Sequence, residues 1–372
     1  MVLYTYSRLQ GSAMLKPIQP LDTLPETRFE SPTILKKLAL ASRKLAELKG
    51  VAASIPNQSI LISALGLQEA KDSSAIENIV TTHDDLFRDD FYSAHFANPA
   101  VKEVLHYRQA LYAGFQQVRE SGMLTANHII AIQAELEQNI AGLRKLPGTA
   151  LKDGMGRTVY TPPQSHDEII ALMSDLELFI NDEMSFAADP LIKMALIHHQ
   201  FESIHPFYDG NGRTGRIINV LYLVKEGLLD IPVLYLSRHI LRTKSDYYRL
   251  LQDVRDRDAW EEWVLYMLTA IELTAADAID SISAIKFALQ DVKHRIRAQY
   301  KFYSQDLINN LFTHPYTKIE FIERDMNVTR LTATKYLNAL TEGGFLHKVK
   351  RGRDNYYINI ALNAILTRES MR

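Results

Sequence analysis

Apolar residues recur every three or four positions along most of the first 290 residues, and that period predicts helices. "TILKKLALASRKLAELKG" and "NQSILISALGLQEAKD" give two of them over about 33–70, parted by Gly50 and a restart at Pro56-Asn57. Further helical stretches fall at 100–119, 125–141, 166–182, 190–204, 213–226, 245–254 and from 258 to about 300. Residues 1–32 hold prolines and little periodicity, which predicts an extended arm over the surface. One stretch interrupts the helices. "LRKLPGTALKDGMGRTVYTPP" (143–163) sets Gly148, Gly154 and Gly156 among Thr, Val and Tyr and stops at Pro162-Pro163, the pattern of a β-hairpin. Beyond 300 come three short helices, "SQDLINNLF", "KIEFIERDM" and "RLTATKYLNALTEGGFL", the last with Thr329 as its N-cap. "HKVKRGRDNYYIN" then reads as two strands around a Gly-Arg-Asp turn. Three helices and a hairpin outline a winged helix. The fold class is therefore mainly α, in three parts: an arm and helical region over 1–95, a central helical domain over 96–289, and a winged-helix domain over 290–372.

Composition narrows the class. With 372 residues, 47% hydrophobic and 23% charged, the chain has the make-up of a soluble globular protein with room for two or three cores. It has no cysteine, which rules out disulfides, thiolate metal sites and a cysteine nucleophile. No stretch nears the roughly 18 unbroken apolar residues of a membrane span, and the first residues lack the pattern of a signal peptide. No membrane partner and a cytoplasmic location are expected. The net charge of −2 hides a basic end: residues 290–372 hold 14 Lys/Arg against 8 Asp/Glu.

The chemistry concentrates in "HPFYDGNGRTGR" (205–216). As G-x-G-x-x-G it matches a dinucleotide fingerprint, but that motif needs a strand before it, and here a helical pattern precedes. As G-x-x-x-x-G it lacks the Lys and Ser/Thr of a P-loop, having Arg216 and Ile217 instead. Its physics still favours a polyanion. Gly210 and Gly212 let N–H groups turn inward, the following helix adds its positive end, and Arg213 and Arg216 lie one turn apart. Asp209 offers a hard oxygen to Mg²⁺, and His205 can take a proton near neutral pH. Base, cation ligand, N–H donors and arginines in twelve residues suit phosphoryl or nucleotidyl transfer.

The run resembles the Fic family signature, H-x-F-x-[D/E]-G-N-G-R-x-x-R, at every fixed position: His205, Phe207, Asp209, Gly210, Asn211, Gly212, Arg213 and Arg216. The similarity spans about residues 35–270. It implies a Fic-fold helical bundle and transfer of AMP from ATP to a Ser, Thr or Tyr hydroxyl of a target protein. His205 would deprotonate that hydroxyl, and Asp209 would hold Mg²⁺ on the phosphates. Asn211 with Gly210 and Gly212 would cradle the α-phosphate, Arg213 and Arg216 would grip the outer phosphates, and Thr214 and Gly215 complete the nucleotide-binding run. Phe207 would anchor the loop, and Tyr247 and Tyr248 in "SDYYRLLQDV" would flank the nucleotide. The 143–163 hairpin would be a flap that docks the target by strand addition, with Arg157, Thr158, Val159 and Tyr160 near the adenine base. "SSAIEN" (73–78) is similar to the family's inhibitory motif, with Ser73, Glu77 and Asn78 in place. Glu77 would then pair with Arg216 where the γ-phosphate belongs. A reversed nucleotide would instead make a kinase, as in the Doc branch. Self-modification and a homodimer are compatible with the same reading.

Other residues have plainer roles. His198 and His199 are adjacent and point about 100° apart on a helix, so they serve packing or surface and not one metal ion. Trp260 and Trp263 pack one helix face. Arg330, Thr332, Thr334 and Lys335, with the basic "HKVKRGRD", leave DNA contact open for the C-terminal domain.

Overall fold

In the computed structural model the described residues are 18–82, 86, 98–182, 186–351 and 354–368. The N-terminal arm thus lies outside them up to residue 17, as does the Gly352-Arg353 turn of the C-terminal hairpin. What is described of the arm is two short 3-10 turns, Leu21–Thr23 and Glu26–Phe29, with Phe29 buried edge-on against Trp260.

Helix α1 (Pro32–Ala53) starts as its sequence demands: Ser31 accepts a hydrogen bond from the N–H of Ile34, and Pro32 takes the first helical position. It packs along α10 (Trp260–Gln299), the 40-residue spine of the molecule. Between them in sequence come α2 (Ser59–Ile76), α3 (Pro99–Ser121), α4 (Ala126–Glu137), α5 (His166–Asn181), α6 (Pro190–Ile204), α7 (Asn211–Lys225), α8 (Ser237–Arg242) and α9 (Lys244–Arg257). The core sits on the α6–α7 hairpin. Every residue of α6 from Leu191 to Ile204 is buried, so its pattern shows no polar stripe, as expected of a helix wrapped on all sides. Trp263 on α10 is buried and its indole N–H donates to the Ala195 carbonyl of α6 (2.7 Å). His198 stacks on Trp263 and His199 meets Trp260 edge-on. Both histidines are packing residues.

Two close approaches set the bundle. Gly114 on α3 lets Ile132 of α4 and Leu221 of α7 come so near that a Cβ would lie 2.7 Å from each methyl. α2 is buried around most of its girth, among α3, α8 and α11 (Gln305–Thr313).

The flap is shorter than the sequence implies. Only β1 (Leu151–Lys152) and β2 (Thr158–Tyr160) pair, antiparallel, with Leu151 opposite Tyr160. Asp153 closes the turn by accepting from the N–H groups of Met155 and Arg157 (both 2.9 Å) and from Arg157 Nε (2.7 Å).

α10 runs without a break across residue 290, so the central and C-terminal parts share one helix. After it come α11, β3 (Tyr316–Thr317), α12 (Ile319–Met326), α13 (Arg330–Glu342), β4 (Leu346–Arg351), β5 (Asp354–Asn359) and α14 (Ile360–Arg368). The three helices and the hairpin fall where expected, and Thr329 caps α13 through the N–H of Thr332. β3 and α14 were not foreseen: β3 joins the hairpin edge in the order β3-β5-β4, with Tyr316 opposite Ile358. Two residues of strand carry too little periodicity to read. Among the described residues no helix is long and apolar enough to cross a membrane.

Candidate active site

The signature loop joins α6 to α7. His205 caps α6 in the left-handed region (φ 48°, ψ 59°), and Gly210, also left-handed (φ 77°), is the N-cap of α7. Asn211 folds the loop on itself: its Oδ1 accepts from the Phe207 N–H (2.9 Å) and its Nδ2 donates to the Phe207 carbonyl (2.8 Å). Phe207 is buried against Phe201, the anchor expected of it. Both functional atoms of the Asn211 side chain are thus engaged with the loop itself. No side chain caps the start of α7, which leaves its first turn in the state that favours an anion.

The two signature arginines part company. Arg216 is buried and meets α2: Nε donates to Ser73 Oγ (2.8 Å), and Nη2 donates to the Ser73 carbonyl (3.0 Å) and to Glu77 Oε1 (2.9 Å). Glu77 sits over Gly212, where an added Cβ would be 2.5 Å from Oε1. Asn78 ends α2 with a left-handed backbone (φ 64°); its N–H bonds to the Ala75 carbonyl and that of Ile79 to the Ser74 carbonyl, the paired bonds of a Schellman cap. The Asn78 side chain instead accepts from Lys244 Nζ (3.2 Å), so Arg216 is met by Ser73 and Glu77 of this segment. Arg213 is buried and salt-bridged to Glu103 of α3 and to Glu137 of α4, the latter at 2.7 Å, so it ties α7 to two helices instead of reaching out to phosphate. Burial raises the Glu137 pKa against the pull of Arg213.

Tyr247 is likewise inside, 1% exposed, its hydroxyl 2.8 Å from His198 Nε2. Tyr248 is half-buried and edge-on to Tyr247. Thr214 is buried; a Cβ on Gly215 would lie 2.8 Å from Glu202 Oε1, so close packing requires that glycine. On the flap, Arg157 is paired with Asp153, and Tyr160 turns inward to donate to the Ser203 carbonyl (2.9 Å). Thr158 is exposed and Val159 half-buried.

Burial, then the charges of Arg255 and Arg144, push the His205 pKa down to about 3. The imidazole is neutral at pH 7, with burial and the two guanidinium groups opposing its protonation. Burial pushes the Glu202 carboxyl, one turn before it, up to about 7. Asp209 is exposed, and its Oδ1 accepts only the neighbouring Gly210 N–H (2.8 Å) while Gln133 holds its carbonyl (3.2 Å). Among the described residues no three His, Asp or Glu side chains gather as a metal site. One accessible carboxylate fits Mg²⁺ in the mode that keeps waters and shares substrate phosphates.

Arg144, Arg255, Glu103, Glu137, Gln133 and Glu202 escaped the sequence reading. Each lies outside a motif, and nothing in "LRKLP" or "AELEQN" distinguishes a buried ion from a solvated one.

Comparison with known proteins gives three family matches along the chain. Residues 35–116 match the Fic/DOC family N-terminal model, 123–223 the Fic/DOC family model, and 288–362 the C-terminal domain of SoFic-like protein adenylyltransferases. The chain belongs to the Fic/DOC family. It is 31% identical over 134 residues to protein adenylyltransferase fic-1 of Caenorhabditis briggsae, covering 34% of this chain and 24% of that protein. It is 34% identical over 96 residues to protein adenylyltransferase Fic of Culex quinquefasciatus, covering 26% and 18%. The matches thus span about a quarter or less of those relatives' length. A crystal structure of a Fic family protein from Desulfovibrio desulfuricans G20 shares the fold, with a TM-score of 0.54 at 20% identity over 88% of this chain and 96% of that one.

Proposed function

We propose that this protein transfers AMP from ATP to hydroxyl groups of protein side chains, with Glu77 holding it at rest. One observation carries the reading: the Glu77 carboxylate lies over Gly212 on the uncapped first turn of α7 and on Arg216. An anion already occupies the place where helix end and guanidinium favour negative charge. A triphosphate drawn to that place competes with Glu77, and displacing Glu77 frees Arg216 for the outer phosphate.

With the α-phosphorus facing His205, neutral Nε2 or Nδ1 takes the proton of the incoming Ser, Thr or Tyr hydroxyl. The oxygen forms its bond to the α-phosphorus, and the bond to the β-phosphate breaks to release pyrophosphate. The N–H groups at the start of α7 meet the charge that gathers on the α-phosphate. Asp209 would hold Mg²⁺, which supplies charge neutralisation on the phosphates. The edge of β2 holds the target backbone. The lack of cysteine favours a cytoplasmic setting.

Intact mass after incubation with ATP and Mg²⁺ tests this reading. A gain of one AMP on the chain or on an added protein supports it; a gain of one phosphate replaces it with the kinase. The C-terminal unit we read as a winged helix for protein contact, because Arg330 at the start of α13 is already paired with Glu320 and Glu323. A gel shift with mixed duplexes that weakens with salt would restore DNA as its partner.

A further inference from the structure

The last carbonyls of a helix lack partners within it, and beyond Phe201 those at the end of α6 are met by side chains from other segments. Phe201 accepts the His205 N–H (2.9 Å). The Glu202 carbonyl accepts from Arg255 Nη2 of α9 (3.3 Å), and the Ser203 carbonyl from the phenol of Tyr160 on the flap (2.9 Å). The Ile204 carbonyl accepts from Arg144 Nη2 (3.4 Å) and that of His205 from Arg144 Nε (2.8 Å). Arg144 also donates to the Pro163 carbonyl where the flap ends, and its own N–H donates to the Pro206 carbonyl (2.9 Å). His166 Nδ1 lies 2.9 Å from the Arg144 carbonyl. Arg255 closes the other side: its guanidinium lies 4.0 Å over the Tyr160 ring and its Nε donates to Ser203 Oγ (3.0 Å).

We propose that Arg144 is a positioning residue for the proton-accepting step, binding the flap and the loop that carries His205 into one rigid unit. A target segment paired to the flap edge then arrives in fixed register with His205. Arg255 and Tyr160 complete the same clamp.

A purely structural role does not account for the choice of residue. Arg144 is 0% exposed, and Nη1 has no hydrogen-bond partner. Burying a charge costs more than burying an apolar side chain of like volume, so the gain lies in the carbonyls it joins. A planar fork spreads its donors from Nε to Nη2 across carbonyls set apart along the chain, whereas an ammonium offers its three donors from a single atom. His205 also needs support, since a non-glycine residue held at φ 48° persists only when its surroundings fix it. The geometry of this clamp stands by itself; its catalytic meaning rests on the proposed AMP transfer.

The test uses the full chain carrying Glu77→Gly, with Arg144→Met or Arg144→Lys added. Labelled-ATP incorporation gives kcat and KM for ATP, and amide hydrogen exchange follows residues 203–205 and 151–160. Arg144→Met is expected to slow incorporation about ten- to a hundredfold with KM for ATP changed less than about twofold. Exchange in the loop and in the flap should rise together, and Arg144→Lys should recover part of both. Unchanged rate and exchange in Arg144→Met, faster exchange in the loop with the flap unaffected, or a loss confined to KM for ATP each overturn the proposal. If the Glu77→Gly parent incorporates no label, the AMP-transfer reading falls and exchange alone decides the clamp. If Arg144→Met does not fold, Arg144→Lys and Tyr160→Phe are scored by the same joint rise, and parent-like behaviour in both overturns it.

Discussion

Glu77 and His205 carry opposite expectations. Under the proposed function the first, bonded to Arg216 at 2.9 Å, bars the anion site and the second supplies the base. Glu77→Gly removes the competing carboxylate and should raise incorporation of labelled ATP by at least about tenfold, since a charged hydrogen bond contributes roughly 1.5–3 kcal/mol. His205→Ala should bring incorporation to background in either setting. A Glu77→Gly protein no more active than its parent would remove the inhibitory role. Asn78 acts one step further back. Its left-handed backbone lets α2 stop where Glu77 meets Arg216. Asn78→Val, disfavoured there by about 1–2 kcal/mol, should fray that turn and raise basal incorporation several-fold, while Asn78→Gly should stay near the parent. Equal behaviour of the two would detach the cap from inhibition.

Among the elements, the contact of α3 with α4 and α7 bears on the site, because α4 supplies Gln133 and Glu137 to the loop and α7 carries the anion site. Gly114 sets that contact. Gly114→Ala places a methyl 2.7 Å from Ile132 and Leu221 and should cost about 1–3 kcal/mol by overpacking. A lowered urea midpoint with unchanged slope is the expected reading; an unaltered midpoint would mean the helices part freely. Burial decides the roles of Arg213 and Arg216 too. The former is neutralised by two glutamates from neighbouring helices, the latter by the single carboxylate of Glu77. Spacing on α7 puts both on nearby faces but cannot say what stands opposite each.

For the molecule as a whole, buried titratable groups set an acid limit. His198 and His205 are depressed to about 3 and His199 well below its usual value, all chiefly by burial. These groups stay neutral in the fold and take protons on unfolding, so their contribution is present above pH 6.5 and is lost as pH falls. Glu69 and Glu202, raised by burial to about 7, act oppositely. They favour the fold when protonated, fully below about 4.5, and lose that contribution as pH rises through 7. Between 4.5 and 6.5 the two sets largely offset each other. Below about 4.5 only the histidine loss remains, at up to about 4 kcal/mol per pH unit for three protons. Urea midpoints over pH 3.5–8 should run shallow and then drop steeply below 4.5; a midpoint still rising there would contradict the buried, neutral state of these residues.

Helical period, the flap's glycines and the twelve-residue signature were legible in the sequence because each is local: a repeat along one helix, a turn needing positive φ, a loop whose ligands are neighbours in the chain. The pairing of Glu77 with Arg216 was legible only through resemblance. Tertiary structure alone decided which cations are spent and which are poised. Arg213 and Arg157 are committed to carboxylates, Tyr247 to His198, and Asn211 to Phe207, while Arg144, bearing no motif, holds the carbonyl of His205. A side chain's charge is written in the chain, but its partner and its distance from water are set by segments up to 235 residues away, and those two quantities fix what the charge can do.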